Sequence, residues 1–215
     1  MSCQDSLRED FMRGFSTLEE AAKAQAVDTM DRRDLGIPAY KTEWIIQTEN
    51  KETGEFEPNF AGWKNMGFRY ERHDDEVDVS FTADFSMKYL AAHRIIRKYG
   101  GLEKCPIANY SILAPNSVIQ RHTGVENREG KYIRIHIPLI IPEGDVFFEC
   151  NGEEIDWSDI WGFNNQLPHS AHNLTDEYRL VFLLDLEREA IGMPPGEPYD
   201  PLIERNATPF IRNKK

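Results

Sequence analysis

From Asn109 onward the hydrophobic period of this chain changes from helical to two, in short bursts separated by turn residues. Six segments carry the alternation: 110–113, 117–122, 132–141, 145–150, 160–163 and 178–186. Between them stand Pro115-Asn116, Glu129-Gly130, Pro142-Glu143-Gly144, Asn151-Gly152 and Pro168, residues that set turn dihedrals at little steric cost. Many short strands joined by close turns must pair their edges and bury one side of each strand, which leaves a β-sandwich or a barrel.

The first half reads differently. Ser16-Thr17-Leu18-Glu19-Glu20 has the form of a helix N-cap with an acidic first turn ahead of an alanine-rich stretch, and a surface helix is expected there. Residues 42–47 and 77–81 have strand character, and 56–75 follow no clear period. Residues 87–99 repeat apolar side chains at helical spacing until Gly100-Gly101 stops them, so this is the best-defined helix. The chain of 215 residues suffices for one core. The organisation expected is a single domain over 1–215: N-terminal helices and supporting strands in 1–104, a β core in 105–190, and a C-terminal tail in 191–215.

Charge and cysteine usage narrow the partners. Lys and Arg total 25 against 37 Asp and Glu, a formal charge of −12 with no basic block, so a phosphate backbone would meet a repulsive field and nucleic acid is not expected as a partner. Cys3, Cys105 and Cys150 are odd in number and widely spaced, which fits a reducing compartment better than a disulfide framework. There is no basic n-region followed by an apolar run at the start, and no apolar run of membrane-spanning length. A cytoplasmic protein without a membrane anchor is expected.

Strand periodicity sorts the side chains of the β half by face. Ile133, Ile135 and Ile137 point one way, and Tyr132, Arg134 and His136 the other. In the last segment Leu180, Phe182, Leu184 and Leu186 share one face, while Arg179, Val181, Leu183 and Asp185 share its opposite. Arg179 thus enters an otherwise apolar space, where a guanidinium requires compensation by a bound acid or by an ion pair within the protein. Of six histidines, His73 lies in a charged run and His93 on the expected helix. His122 and His169 each stand at a strand edge beside a turn, an arrangement suited to convergence on a metal across a barrel mouth. His172 would point away from His169 if the strand continues. The absence of an HExxH motif or an evident general base argues against zinc-dependent hydrolysis.

Tyr110-Ser111-Ile112, His122-Thr123-Gly124 with Asn127, Arg134-Ile135-His136, the Ile140-Ile141-Pro142 turn with Gly144, and His169 followed by Arg179 and Asp185 together resemble the aspartyl/asparaginyl β-hydroxylase family of 2-oxoglutarate oxygenases. The resemblance covers about residues 109–187. It implies a mainly β fold, a double-stranded β-helix (jelly-roll or cupin-like) barrel with flanking α-helices. It also implies Fe(II) bound by His122 and His169, catalytic residues for that reason. Ser111 and Arg179 would hold the distal carboxylate of 2-oxoglutarate, and Arg134 with His136 the carboxylate beside the keto group.

Most related oxygenases add a carboxylate ligand two residues after the first histidine. Here Gly124 stands there, as in the family's eukaryotic hydroxylases. The implied reaction is hydroxylation of a C–H bond, on the β-carbon of an aspartyl or asparaginyl residue or of a related free amino acid or peptide, with O2 consumed and 2-oxoglutarate decarboxylated to succinate. The chain departs from the family at Asn164-Asn165, where an acidic pair is common, and at Ser170-Ala171-His172, in place of the frequent Glu-Val-Trp. These departures bear on the substrate, a small amino acid, peptide or protein. The competing expectation is a cupin-like sensor module that binds metal and 2-oxoglutarate without turnover.

Overall fold

The computed structural model describes residues 26, 30, 31, 33–35, 37–39, 45–70, 107–124, 127, 130–158, 160–191, 193, 194 and 196. The surface helix expected after Ser16, the helix over 87–99 and the strand over 77–81 lie outside the described residues. So does most of the tail.

Twelve strands are described: β1 (Ile37–Pro38), β2 (Ile46–Glu49), β3 (Phe56–Pro58), β4 (Trp63–Tyr70), β5 (Ile107–Leu113), β6 (Ser117–His122), β7 (Tyr132–Ile140), β8 (Val146–Cys150), β9 (Glu153–Glu154), β10 (Trp161–Phe163), β11 (His169–Asn173) and β12 (Arg179–Glu187). They form two six-stranded sheets, ordered β1-β4-β5-β12-β7-β10 and β3-β2-β6-β11-β8-β9, and every pairing is antiparallel. Successive strands from β5 to β12 alternate between the sheets except at the β8–β9 hairpin, the winding of a double-stranded β-helix. All six strands expected from alternation are present. β2 overlaps the segment 42–47, and β1, β3, β4, β9 and β11 are additional: β3 and β4 fall in the stretch without a clear period, and β11 is interrupted in sequence by polar residues and histidines.

Turn chemistry sets the connections. Asn151 and Gly152 both have positive φ, 52° and 85°, and link paired residues Cys150 and Glu153. Two consecutive left-handed residues give a hairpin turn whose twist matches that of its strands. Asn116, at φ 53°, similarly turns the chain from β5 into β6. Pro138 cannot donate to a ladder, and the β7–β12 register shifts beside it, between Leu180 and Val181.

The apolar faces read from sequence do not line the space between the sheets. Ile133, Ile135 and Ile137 of β7 and Leu180, Phe182, Leu184 and Leu186 of β12 form one core with Ala108, Tyr110 and Ile112 of β5, joined by Ala26, Met30 and Met193 from outside the sheets. This core covers the outer face of the first sheet. At roughly 1.5–3 kcal/mol for each buried aliphatic side chain, it is a main source of stability. A second core, including Trp63, Leu113, Ile119, Phe148, Phe163 and Ala171, lies between the sheets. β12 is therefore buried along its entire length, on both faces. Cys150 is disulfide-bonded, which the cysteine spacing did not suggest. No helix among the described residues is long and apolar enough to cross a membrane.

Candidate active site

Between the sheets lies a cavity lined by Ser111, Arg134, His136 and Arg179 of the first sheet and by His122 and His169 of the second, with Trp63, Phe148 and Phe163 among its apolar walls. All six residues singled out from sequence are brought together. The space between these walls is partly continuous with solvent.

His122 ends β6 and His169 begins β11, and the two are direct cross-strand partners. A bulge makes this possible. His169 faces His122 whereas Ala171 faces Ile119, so β6 carries one extra residue between them. Ile119 and His122 both reach the cavity despite an odd spacing that strict alternation would send to opposite faces. Arg121 instead pairs with Glu149 at 2.6 Å. The ring centroids of His122 and His169 are 4.3 Å apart. Each Nδ1 lies 2.7 Å from the carbonyl oxygen two residues earlier, Gln120 for His122 and Leu167 for His169. Backbone carbonyls only accept, so both rings donate from Nδ1 and carry the lone pair on Nε2, the tautomer a metal requires. Burial, and then the neighbouring His122, hold the His169 imidazole well below its ordinary pKa, which keeps it neutral. His172 points to the opposite face of β11, stacked on Phe147 at 5.0 Å and bonded to Asp145 at 2.6 Å.

No group of three or more His, Cys, Asp and Glu side chains forms a metal site among the described residues, and Gly124 shows why the third position carries no carboxylate. A Cβ placed on Gly124 would stand 2.4 Å from Asn165 Nδ2 and 3.0 Å from the Asn165 carbonyl oxygen, the latter already held by the Gly124 N–H at 2.6 Å. Asn165 is itself fixed: its Oδ1 accepts from Asn127 Nδ2 at 3.0 Å, while Gln166 Nε2 donates to the Asn127 carbonyl at 2.6 Å. The amides that replace the family's acidic pair thus tie the 164–167 turn to the loop after β6.

Deeper in the cavity the two arginines differ. Arg134 donates from Nε and Nη2 to the two oxygens of Asp185, each at 2.7 Å, a buried bidentate pair. Arg179 is fully buried, yet its Nε and Nη1 have no hydrogen-bond partner; its guanidinium lies over the Trp157 ring, 5.3 Å from the centroid. Burial lowers its pKa from 12.5 to about 9, so it remains a cation at neutral pH. The internal ion pair that could have compensated Arg179 belongs to Arg134 instead. His136 is enclosed by Phe148, Trp157, Trp161 and Phe163, at centroid distances of 4.4 to 6.3 Å, and neither ring nitrogen is hydrogen-bonded. Burial first, then Arg179 and Arg134, depress its pKa well below the usual value. Ser111 accepts a hydrogen bond from Trp63 Nε1 at 2.7 Å, which leaves its own proton for a second acceptor.

A pair of Nδ1-anchored imidazoles beside an uncompensated cation and an unpartnered imidazole fits a metal ion with a carboxylate-bearing ligand. Sequence reasoning did not single out Trp63, Trp157 or Trp161 for this site. Trp161 stands opposite His136 in the β10–β7 pairing, a register that the sequence does not show.

No significant match is found among curated proteins. Solved structures that this chain matches include an oxidoreductase of the 2OG-Fe(II) oxygenase family from Burkholderia pseudomallei, at 10% identity over 93% of this chain and 97% of that one with a TM-score of 0.47. A Pseudomonas putida prolyl-4-hydroxylase matches at 14% identity over 79% and 86%, TM-score 0.45. A Trichoplax adhaerens prolyl hydroxylase, solved with a hypoxia inducible factor peptide, matches at 13% over 80% and 79%, TM-score 0.42. The family model for aspartyl/asparaginyl beta-hydroxylase matches residues 6–189, so the chain belongs to that family and is a 2-oxoglutarate-dependent hydroxylase.

Proposed function

We propose that the chain hydroxylates the β-carbon of an aspartyl or asparaginyl residue, or of a related free amino acid or peptide, and converts 2-oxoglutarate to succinate in the same cycle. His122 and His169 would hold Fe(II) through Nε2. Ser111 and Arg179 would hold the distal carboxylate of 2-oxoglutarate, and His136, with Arg134 beside it, the carboxylate next to the keto group. The observation that carries this reading is the fully buried guanidinium of Arg179, with Nε and Nη1 lacking any partner, in the same cavity as the two Nδ1-anchored imidazoles. A buried cation without an anion is costly, and a dicarboxylate removes that cost.

When bound, the iron and 2-oxoglutarate supply the oxidising chemistry, with O2 as oxidant and succinate and CO2 as products. The residues of the chain bind, orient and exclude water. The Nδ1 bonds to Gln120 and Leu167 fix both imidazole planes. Trp63 orients the Ser111 hydroxyl. Phe148, Phe163 and Leu183 keep the surroundings apolar, which excludes water from the site.

The test is succinate formation from 2-oxoglutarate under air with added Fe(II), comparing wild type with His122→Ala and adding amino acids and aspartyl or asparaginyl peptides as stimulants. Succinate that requires His122 and rises with one class of compound is the expected result. Binding of 2-oxoglutarate without succinate under any addition would favour the sensor module and overturn the proposal.

A further inference from the structure

The pocket around His136 holds more hydrogen-bond donors than the family resemblance accounts for. The indole Nε1 atoms of Trp157 and Trp161 are both buried and without a partner, as are Arg179 Nε and Nη1 and both ring nitrogens of His136. These groups are neighbours. Trp161 is directly opposite His136 in the β10–β7 pairing, with ring centroids 4.4 Å apart. Trp157 lies parallel to His136, at 6.3 Å and 9°, packs edge-on to Trp161 at 5.5 Å, and carries the Arg179 guanidinium on its face. Asp156 accepts from both the backbone N–H and the hydroxyl of Ser158 at 2.9 Å, which pins the turn that presents Trp157.

An indole nitrogen can donate but not accept. Two of them beside a guanidinium and a neutral imidazole make a cluster short of acceptors, and the nearby carboxylate, Asp185, is engaged by Arg134. A water molecule would add donors of its own. A carboxylate brings acceptors alone. We infer that Trp157 and Trp161 are co-substrate-binding residues, donating their indole N–H groups to carboxylate oxygens of 2-oxoglutarate alongside Arg179 and His136. The inference rests on the proposed function above and extends it to two residues on the β9–β10 side of the barrel, which pack against His136.

The test is calorimetric titration of 2-oxoglutarate into the Zn(II)-loaded protein, which binds without turnover, for wild type, Trp157→Phe and Trp161→Phe. Phenylalanine keeps the ring and removes the donor. The expected result is a Kd raised roughly tenfold by each variant, the scale of one hydrogen bond to a charged group, with Zn(II) affinity and melting temperature unchanged. A Kd within twofold of wild type in both variants would overturn the inference while leaving the proposed function standing. Wild-type protein that binds no 2-oxoglutarate would remove both.

A second measurement does not depend on the folding of variants. In wild-type protein carrying 15N-labelled tryptophan, two indole N–H resonances should move downfield when 2-oxoglutarate is added. Binding in the calorimeter with no indole resonance displaced would refute the assignment.

Discussion

Replacing Arg179 by methionine should make the ligand-free protein more stable while abolishing its affinity for 2-oxoglutarate. Methionine fills a similar space without the charge. Burial depresses the Arg179 pKa from 12.5 to about 9, and this difference, at about 1.4 kcal/mol for each factor of ten, is an order-of-magnitude cost of about 5 kcal/mol for holding the cation inside. Because the folded-state pKa is the lower one, the unfolded chain binds more protons between pH 9 and 12.5, and wild-type stability rises with pH across that window. Below pH 9 both states are charged and the full cost stands. The contact with Trp157 recovers up to about 2 kcal/mol, so the variant should gain about 3 kcal/mol at pH 7.5. With an m-value of about 2 kcal/mol/M, the urea midpoint of the metal-free protein should rise by about 1.5 M. Adding 2-oxoglutarate with Zn(II) should then stabilise wild type by mass action and leave the variant unmoved. A lower urea midpoint for ligand-free Arg179→Met would refute the reasoning, since it would mean that the guanidinium is already compensated inside the protein.

Three further outcomes follow from the same geometry. Gly124→Ala should cost about 1–3 kcal/mol by overpacking against Asn165, and adding Asn165→Ala should recover part of this; purely additive losses in urea melts would dissociate the two residues. His169→Ala should lose Zn(II) binding in calorimetry whereas His172→Ala retains it, because His172 is on the outer face with Asp145; the reverse result would reassign the ligand. Stability of the metal-free protein should fall as pH drops below about 6.5, by up to about 1.4 kcal/mol per pH unit for each of His136 and His169. Both are held below their ordinary pKa by burial, so the unfolded chain takes up protons first. Urea midpoints that stay flat from pH 7.5 to 5.5 would contradict this.

The strands around the site were legible because period two and turn chemistry are local. Alternation placed Arg134, His136 and Arg179 on the faces that now line the cavity, and the rule that residues three apart on a strand oppose each other placed His172 outside. What was not legible depends on register. The bulge in β6 turns His122 inward together with Ile119, and no residue in Gln120-Arg121 announces it. The bidentate pair between Arg134 and Asp185 arises because β7 and β12 set them opposite each other, a pairing of residues far apart in sequence. Trp157 lies in a loop, where no periodicity assigns a face. The role of Asn165 at Gly124 comes from the close approach in space of two loops far apart in sequence.

The orientation of the two cores explains how a barrel with so polar an interior can be stable. In a half-exposed strand the apolar face supplies the core and the polar face meets water. Here both faces of β12 are buried, and the polar one, with Arg179 uncompensated beside the unsatisfied His136 of β7, subtracts from stability until a ligand arrives. The compensating burial lies on the outer face of the first sheet, where Ile135, Ile137, Phe182 and Leu184 are each 0% exposed under Ala26, Met30 and Met193. Folding free energy and ligand affinity are thus assigned to opposite faces of the same strands. Truncating Ile135 should therefore lower the melting point of ligand-free and ligand-bound protein alike, whereas a change at Arg179 or His136 should be felt mainly as a change in the difference between them.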